Sequence, residues 1–166
     1  MNYAKIKPVD VANGEGVRVS VFVSGCSHHC KGCFNSELWD YEAGEEFTAD
    51  VFIDILKSCS PNHIAGLSVL GGEPLDPNNI KKVLLLCRKF KLLYPNKTIW
   101  VYTGYEWEQI KHLDILKYVD VLVDGKFVQE LKDPRLKFRG SSNQRIIDVK
   151  KSRGSDCLFL RKDLME

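Results

Sequence analysis

Four near-continuous apolar runs divide this chain, and each stops at or beside a glycine. Val17–Val23 reads Val-Arg-Val-Ser-Val-Phe-Val and leads to Gly25. Ile64–Leu70 runs into Gly71, Thr98–Thr103 into Gly104, and Val119–Asp124 into Gly125. Such runs predict strands buried on both faces, which belong in a parallel sheet covered by crossover helices. Helical patterns fall between them. Thr48 caps a helix to about Ser60, with Phe52, Ile55, Leu56 and Cys59 on one face. Asp76-Pro77 starts a second helix to about Tyr94, whose stripe is Ile80, Val83, Leu84, Cys87 and Phe90. A short helix is expected around Glu106 to His112, and a further strand at Arg145 to Val149. A closed eight-unit barrel takes about 250 residues. With 166 residues, the pattern predicts an open, partial (β/α) barrel with a mostly parallel sheet. Residues 1–149 are read as the core domain and residues 150–166 as a C-terminal tail without a clear assignment.

The chemistry concentrates where the first predicted strand ends. Cys26-Ser27-His28-His29-Cys30-Lys31-Gly32-Cys33 holds three cysteines in a C-x3-C-x2-C spacing. Three thiolates on one short loop can face one soft metal centre. Structural zinc normally takes four ligands, and electron-transfer iron–sulfur clusters are held by four cysteines. A triad is one ligand short. The spacing leaves two readings: a zinc site completed by His28, His29 or a distant cysteine, or a cluster with one position kept for another molecule. Gly71-Gly72-Glu73-Pro74 follows the second strand. Sites in parallel sheets lie beyond the strands' C-terminal ends, so both loops converge on one side.

Composition narrows the classes. Hydrophobic residues make up 44% and charged residues 28%, and the net charge is +2, too mild to argue for nucleic acid or an anionic membrane. No apolar run approaches the roughly 20 residues of a spanning helix, and the first residues lack a signal-peptide core. A cytoplasmic location is expected, where six cysteines are not a disulfide framework. Cys59 and Cys87 fall on apolar helical stripes and read as core.

Several further stretches give a specific resemblance. C-x3-C-x2-C after the first strand, with Gly71-Gly72-Glu73-Pro74 after the second, resembles the radical S-adenosylmethionine superfamily. Phe22-Val23-Ser24-Gly25-Cys26, Gly32-Cys33-Phe34-Asn35, Trp100-Val101-Tyr102-Thr103-Gly104-Tyr105, Val123-Asp124-Gly125-Lys126-Phe127 and Arg139-Gly140-Ser141-Ser142-Asn143-Gln144-Arg145 resemble one family within it. That family is the activating proteins of anaerobic (class III) ribonucleoside-triphosphate reductase. The matching stretches run from Asn2 to about Asp148. Glu15 stands where relatives tend to have proline.

The resemblance implies an enzyme with the partial barrel of the radical S-adenosylmethionine type. It implies a [4Fe–4S] cluster on Cys26, Cys30 and Cys33, with S-adenosylmethionine on the remaining iron. Gly71, Gly72 and Glu73 would receive its ammonium group, and Gly32 and Phe34 lie where adenine is met. Thr103, Asp124 and Lys126, at or beyond strand ends, are further candidate contacts. The implied activity is generation of a glycyl radical on the large reductase subunit, with a flavodoxin-like electron donor. Alternatives are an activase of another glycyl radical enzyme, of the formate-lyase type, and a non-catalytic zinc-binding protein.

Overall fold

The computed structural model describes residues 1–166. Seven strands form one sheet: β1 (Asn2–Asp10), β2 (Val17–Val23), β3 (Glu45–Glu46), β4 (Ile64–Gly71), β5 (Thr98–Tyr102), β6 (Val121–Asp124) and β7 (Arg145–Asp148). Their spatial order is β3-β1-β2-β4-β5-β6-β7. β2, β4, β5 and β6 pair in parallel. β1 pairs antiparallel with both β2 and β3, and β7 antiparallel with β6. Half of the strand pairings are therefore antiparallel, and the sheet is mixed.

This corrects the expectation of a partial barrel built from a mostly parallel sheet. The apolar runs and their helical crossovers specify only the central four strands. β1 is a polar strand, paired on its outer side only where Asn2 and Tyr3 meet β3, and its Lys5, Lys7 and Pro8 hide it from a search for apolar runs. Helices are also few. Only α1 (Ala49–Ser58) and α2 (Ile80–Leu93) exceed five residues; α3 (Trp107–Ile110), α4 (Val149–Arg153) and α5 (Lys162–Met165) are single turns. No helix is long and apolar enough to cross a membrane.

Side chains alternate across the sheet with the period of two that strands impose. Val19, Val21, Val23, Leu67, Val69, Ile99, Val101 and Leu122 face the helices. There they join Ile55 and Leu56 of α1 and Val83, Leu86, Cys87 and Phe90 of α2. Full burial of each aliphatic side chain contributes about 1.5–3 kcal/mol. Thr48 caps α1 by accepting from the Val51 N–H. α2 begins later than the sequence predicts. The Asp76 carboxylate accepts from the Asn78 N–H and from the Tyr41 hydroxyl instead of capping a helix. α3 carries a capping box between Glu106 and Gln109.

The opposite face is more polar. Arg18 of β2 is fully buried there. Its Nε donates to Ser68 Oγ, and its terminal nitrogens donate to Thr98 Oγ1 and to the carbonyls of Glu15, Leu67 and Thr98. Burial pulls its pKa down to about 10. Ser68 Oγ in turn donates to the Asn13 carbonyl. The last residues return along β7: the Phe159 carbonyl accepts from the Asp148 N–H, and the Ile146 carbonyl from the Arg161 N–H.

Candidate active site

The strand ends turn sharply because glycines there take left-handed backbone angles. Gly71 has φ +110°, and Gly25 has φ +99°. Gly72 lies so close to the cysteine loop that a Cβ on it would stand 2.5 Å from the Gly25 carbonyl oxygen. That approach lets the Gly72 N–H donate to the Val23 carbonyl and the Glu73 N–H to the Gly25 carbonyl, both at 2.8 Å. The Gly-Gly-Glu turn is thus stitched to the backbone that leads into Cys26.

Beyond these turns lies a cavity of about 350 Å³, within the size range of ligand sites. Cys26, Cys30 and Cys33 all line it, as do Gly71, Gly72, Glu73, Thr103 and Phe34. Cys26 is buried and the other two are half-buried. Burial pushes the Cys26 and Cys30 thiols up, while backbone N–H groups of His28 (for Cys26) and Phe127 (for Cys30) pull the other way. The Asn35 N–H donates to Cys33 Sγ at 3.4 Å. No three Cys, His, Asp or Glu side chains close around a point that would hold a single ion.

Glu73 is fully buried, and its carboxylate is saturated from inside the protein. Oε1 receives the Gly104 N–H and meets His28 Nε2, each at 2.7 Å. Oε2 receives the Leu75 N–H at 2.9 Å and the Thr103 hydroxyl at 2.8 Å. One side chain therefore ties the cysteine loop to the turns after β4 and β5. His28 also packs edge-on against Tyr105, with ring centroids 4.7 Å apart.

Three sequence candidates stand apart from the cavity wall. Gly32 faces outward, where a Cβ would meet Gln129. Asp124 is buried and spends its carboxylate on the Trp107 N–H and on Arg145. Lys126 is exposed, and its carbonyl accepts from Asn143. Phe34 sits 58% exposed at the mouth, tilted against Phe127, with the Lys132 ammonium 4.8 Å from its ring centroid.

Comparison with known proteins bears directly on this loop. The model of the family described as "4Fe-4S single cluster domain" matches residues 12–147. The anaerobic ribonucleoside-triphosphate reductase-activating protein of Enterobacteria phage T4 is 44% identical over 146 residues, covering 88% of this chain and 93% of that protein. The proteins of the same name from Escherichia coli K12 and Vibrio cholerae are 43% and 44% identical over 148 residues, covering 87% of this chain and 96% of each relative. The chain belongs to the family of anaerobic ribonucleoside-triphosphate reductase-activating proteins.

For a member of this family the donor set fits a cluster better than one ion. Cys26, Cys30 and Cys33 line one cavity and are the thiolate donors that iron–sulfur clusters take, while no three side chains are gathered around one point as a single zinc needs. Four other wall residues were not among the sequence's candidate contacts: Trp39, Tyr102, Arg139 and Gln144; Tyr102 stood only within the Trp100–Tyr105 family stretch. Arg139 and Gln144 had a local signal in the Arg139–Arg145 stretch, read as serving either the reductase interface or closure of the site. His28 had one too, as a histidine between two cysteines.

Proposed function

We propose that this chain is a radical S-adenosylmethionine enzyme that installs a glycyl radical on the large subunit of an anaerobic ribonucleoside-triphosphate reductase. The observation that carries the reading is the meeting of Cys26, Cys30 and Cys33 with Gly71-Gly72-Glu73 on the wall of one cavity. The relatives' name supplies the partner.

In this reading Cys26, Cys30 and Cys33 hold a [4Fe–4S] cluster and leave one iron for S-adenosylmethionine. The chemistry such a cluster supplies is one electron for cleavage of the sulfonium C–S bond, giving methionine and a 5′-deoxyadenosyl radical that takes a hydrogen atom from a glycine Cα. The chain's residues bind and orient. Gly71 and Gly72 bring backbone against the ligand, since neither has a side chain to hold it off. Glu73 fixes the relative positions of three loops through its four internal partners. Phe34 and Phe127 shield the mouth, which favours a ligand over water and keeps a reactive group from solvent. The reductase's glycine segment would enter from this open side. A flavodoxin-like donor would supply electrons, and the setting would be the cytoplasm.

Anaerobic purification tests the first part: a brown protein with about four irons per chain is expected, and a colourless protein with one tightly held zinc overturns it. Incubation with S-adenosylmethionine, a reductant and the reductase then tests the partner by electron paramagnetic resonance. A glycyl radical on the reductase is expected. Cleavage of S-adenosylmethionine without that radical overturns the partner assignment alone.

A further inference from the structure

The net charge of the chain is only +2, but the charge is not spread evenly. α2 holds five lysines and arginines and no acidic residue. Lys91 is spent inside the protein, 2.6 Å from Asp120. Lys81, Lys82, Arg88 and Lys89 are exposed and make no ion pair. Leu85 and Leu92 stand among them, 50% and 76% exposed.

At 3.6 residues per turn these six side chains leave the helix within an arc of about 120°. Leu85 and Leu92, two turns apart, lie near its centre. Arg88 and Lys81 flank them on one side, Lys89 and Lys82 on the other. The opposite stripe, Val83, Leu86, Cys87 and Phe90, is the one spent on the core. A solvated helix face normally mixes both signs, since opposite charges one turn apart support it; this face carries one sign around an apolar centre. Apolar centre and polar rim are the layout of a protein interface.

The chemistry of the occupant follows from that layout. Two copies of this face would bring like charges together, so it does not serve self-association. Nucleic acid would take the basic side chains and leave the leucines uncovered. A bilayer needs a wide apolar face, and α2 has given its own to the core. What fits is an acidic protein surface with apolar side chains at its centre. Position narrows the choice. Asn79, just before α2, donates from Nδ2 to the Ser24 and Glu73 carbonyls, each at 3.0 Å. The first turn of α2 is thus fastened to the turns that border the cavity, and the face runs about 20 Å away from that edge. A protein large enough to cover the mouth with one segment can lie along α2 with another part of its surface.

We infer that the outer face of α2 is a second docking surface, on which an acidic, apolar-centred surface of the reductase's large subunit rests while its glycine segment enters the mouth. The identity of that partner rests on the proposed function.

The test is equilibrium binding of the cluster-loaded protein to the large subunit, anaerobically, at low and at high salt. Lys81→Glu with Lys89→Glu should weaken binding about tenfold or more and flatten its salt dependence, because it sets acid against acid at the rim. Leu92→Ala should weaken binding at both salt concentrations. Lys151→Glu with Arg153→Glu makes the same change of net charge on exposed residues of α4 and should alter binding little. Cleavage of S-adenosylmethionine by a chemical reductant without the reductase should be equal in all variants, since none of these residues lines the cavity. Thermal unfolding reports whether each variant is folded; if the α2 reversal is not, Lys81→Gln with Lys89→Gln must still weaken binding at low salt. Equal affinities for wild type and the α2 variants, or equal losses from the α2 and α4 reversals, overturn the inference and leave the proposed function standing. Wild-type protein that cleaves S-adenosylmethionine but does not bind the large subunit overturns the partner assignment, and this surface with it.

Discussion

Nε2 of His28 lies 2.7 Å from Oε1 of Glu73. Forty-five residues separate the two in sequence, and their contact fixes the cysteine loop over the Gly-Gly-Glu turn. Removing Glu73 strands four buried or half-buried donors together. Glu73→Ala should lower unfolding free energy by about 3 kcal/mol in urea titrations, since each stranded buried donor costs about 1–3 kcal/mol when nothing relaxes to meet it. His28→Ala should unfold more nearly like wild type but retain less iron per chain after desalting. Equal iron retention in His28→Ala and wild type would remove the loop-fixing role.

Gly72→Ala tests the close approach of the two turns. The added methyl would stand 2.5 Å from the Gly25 carbonyl oxygen, which is backbone and has little room to move. A loss of about 2 kcal/mol is expected from overpacking, together with reduced cluster content. Alanine at Gly154, where the nearest atom to a new Cβ is 3.5 Å away, is the control and should change little.

Asp124 is buried, and Arg145 Nη2 lies 2.6 Å from its Oδ2. Arg145 also reaches Glu108 near the surface, where the pair's hydrogen bonds hold the Glu108 carboxyl below its ordinary range. Arg145→Ala leaves a buried carboxylate without its cation and should cost about 3 kcal/mol. Glu108→Gln removes only the outer member and should cost less than about 1 kcal/mol. Chemical denaturation of the two variants checks the order.

Acid should loosen the turn after β1, where Asp10 holds Ala12 and Asn13. Burial pushes the Asp10 carboxyl up, but hydrogen bonds from Ser20, the Ala12 N–H and Asn13 outweigh it, and its pKa is lowered overall. A depressed carboxyl adds stability that is fully present above its unfolded value of about 3.9 and is lost as pH falls through the folded value. Ser20→Ala should cost about 1–2 kcal/mol near pH 7, and the gap to wild type should narrow below about pH 4. A gap that stays constant down to pH 3 would exclude this linkage.

Thiol reactivity should sort the cysteines. Burial pushes Cys59 and Cys87 up to about 12, so neither forms a thiolate at neutral pH. In folded, cluster-free protein at pH 8, iodoacetamide should modify the exposed Cys157 and spare Cys59 and Cys87 until the chain unfolds. Peptide mapping by mass spectrometry reads the result.

The central strands were legible because both their faces are buried, which leaves an unbroken apolar run with a glycine at its end. β2 spans the predicted Val17–Val23. β1 was not legible, because its charged residues and proline read as an irregular lead-in; its antiparallel pairings are one of the two sources of the mixed sheet. β7 was found as a strand, but its antiparallel direction depends on the path of residues 125–144, which no local pattern encodes. The cysteines and Gly71-Gly72-Glu73 could be placed on one side of the sheet from strand ends alone. The partners of Glu73 could not, since a buried carboxylate and a solvated one look alike in sequence.

The cavity wall draws on residues from Ala12 to Gln144, and its thiols come early in that span. During synthesis Cys26, Cys30 and Cys33 leave the ribosome well before Phe127 and Gly140, which pack on Phe34 beside Cys33. Until those residues emerge, the nascent chain carries three neighbouring thiols with neither shield nor complete binding wall. For a protein of this kind, the interval most open to oxygen precedes the finished fold, and the emergence of the stretch from Phe127 to Gln144 is what ends it.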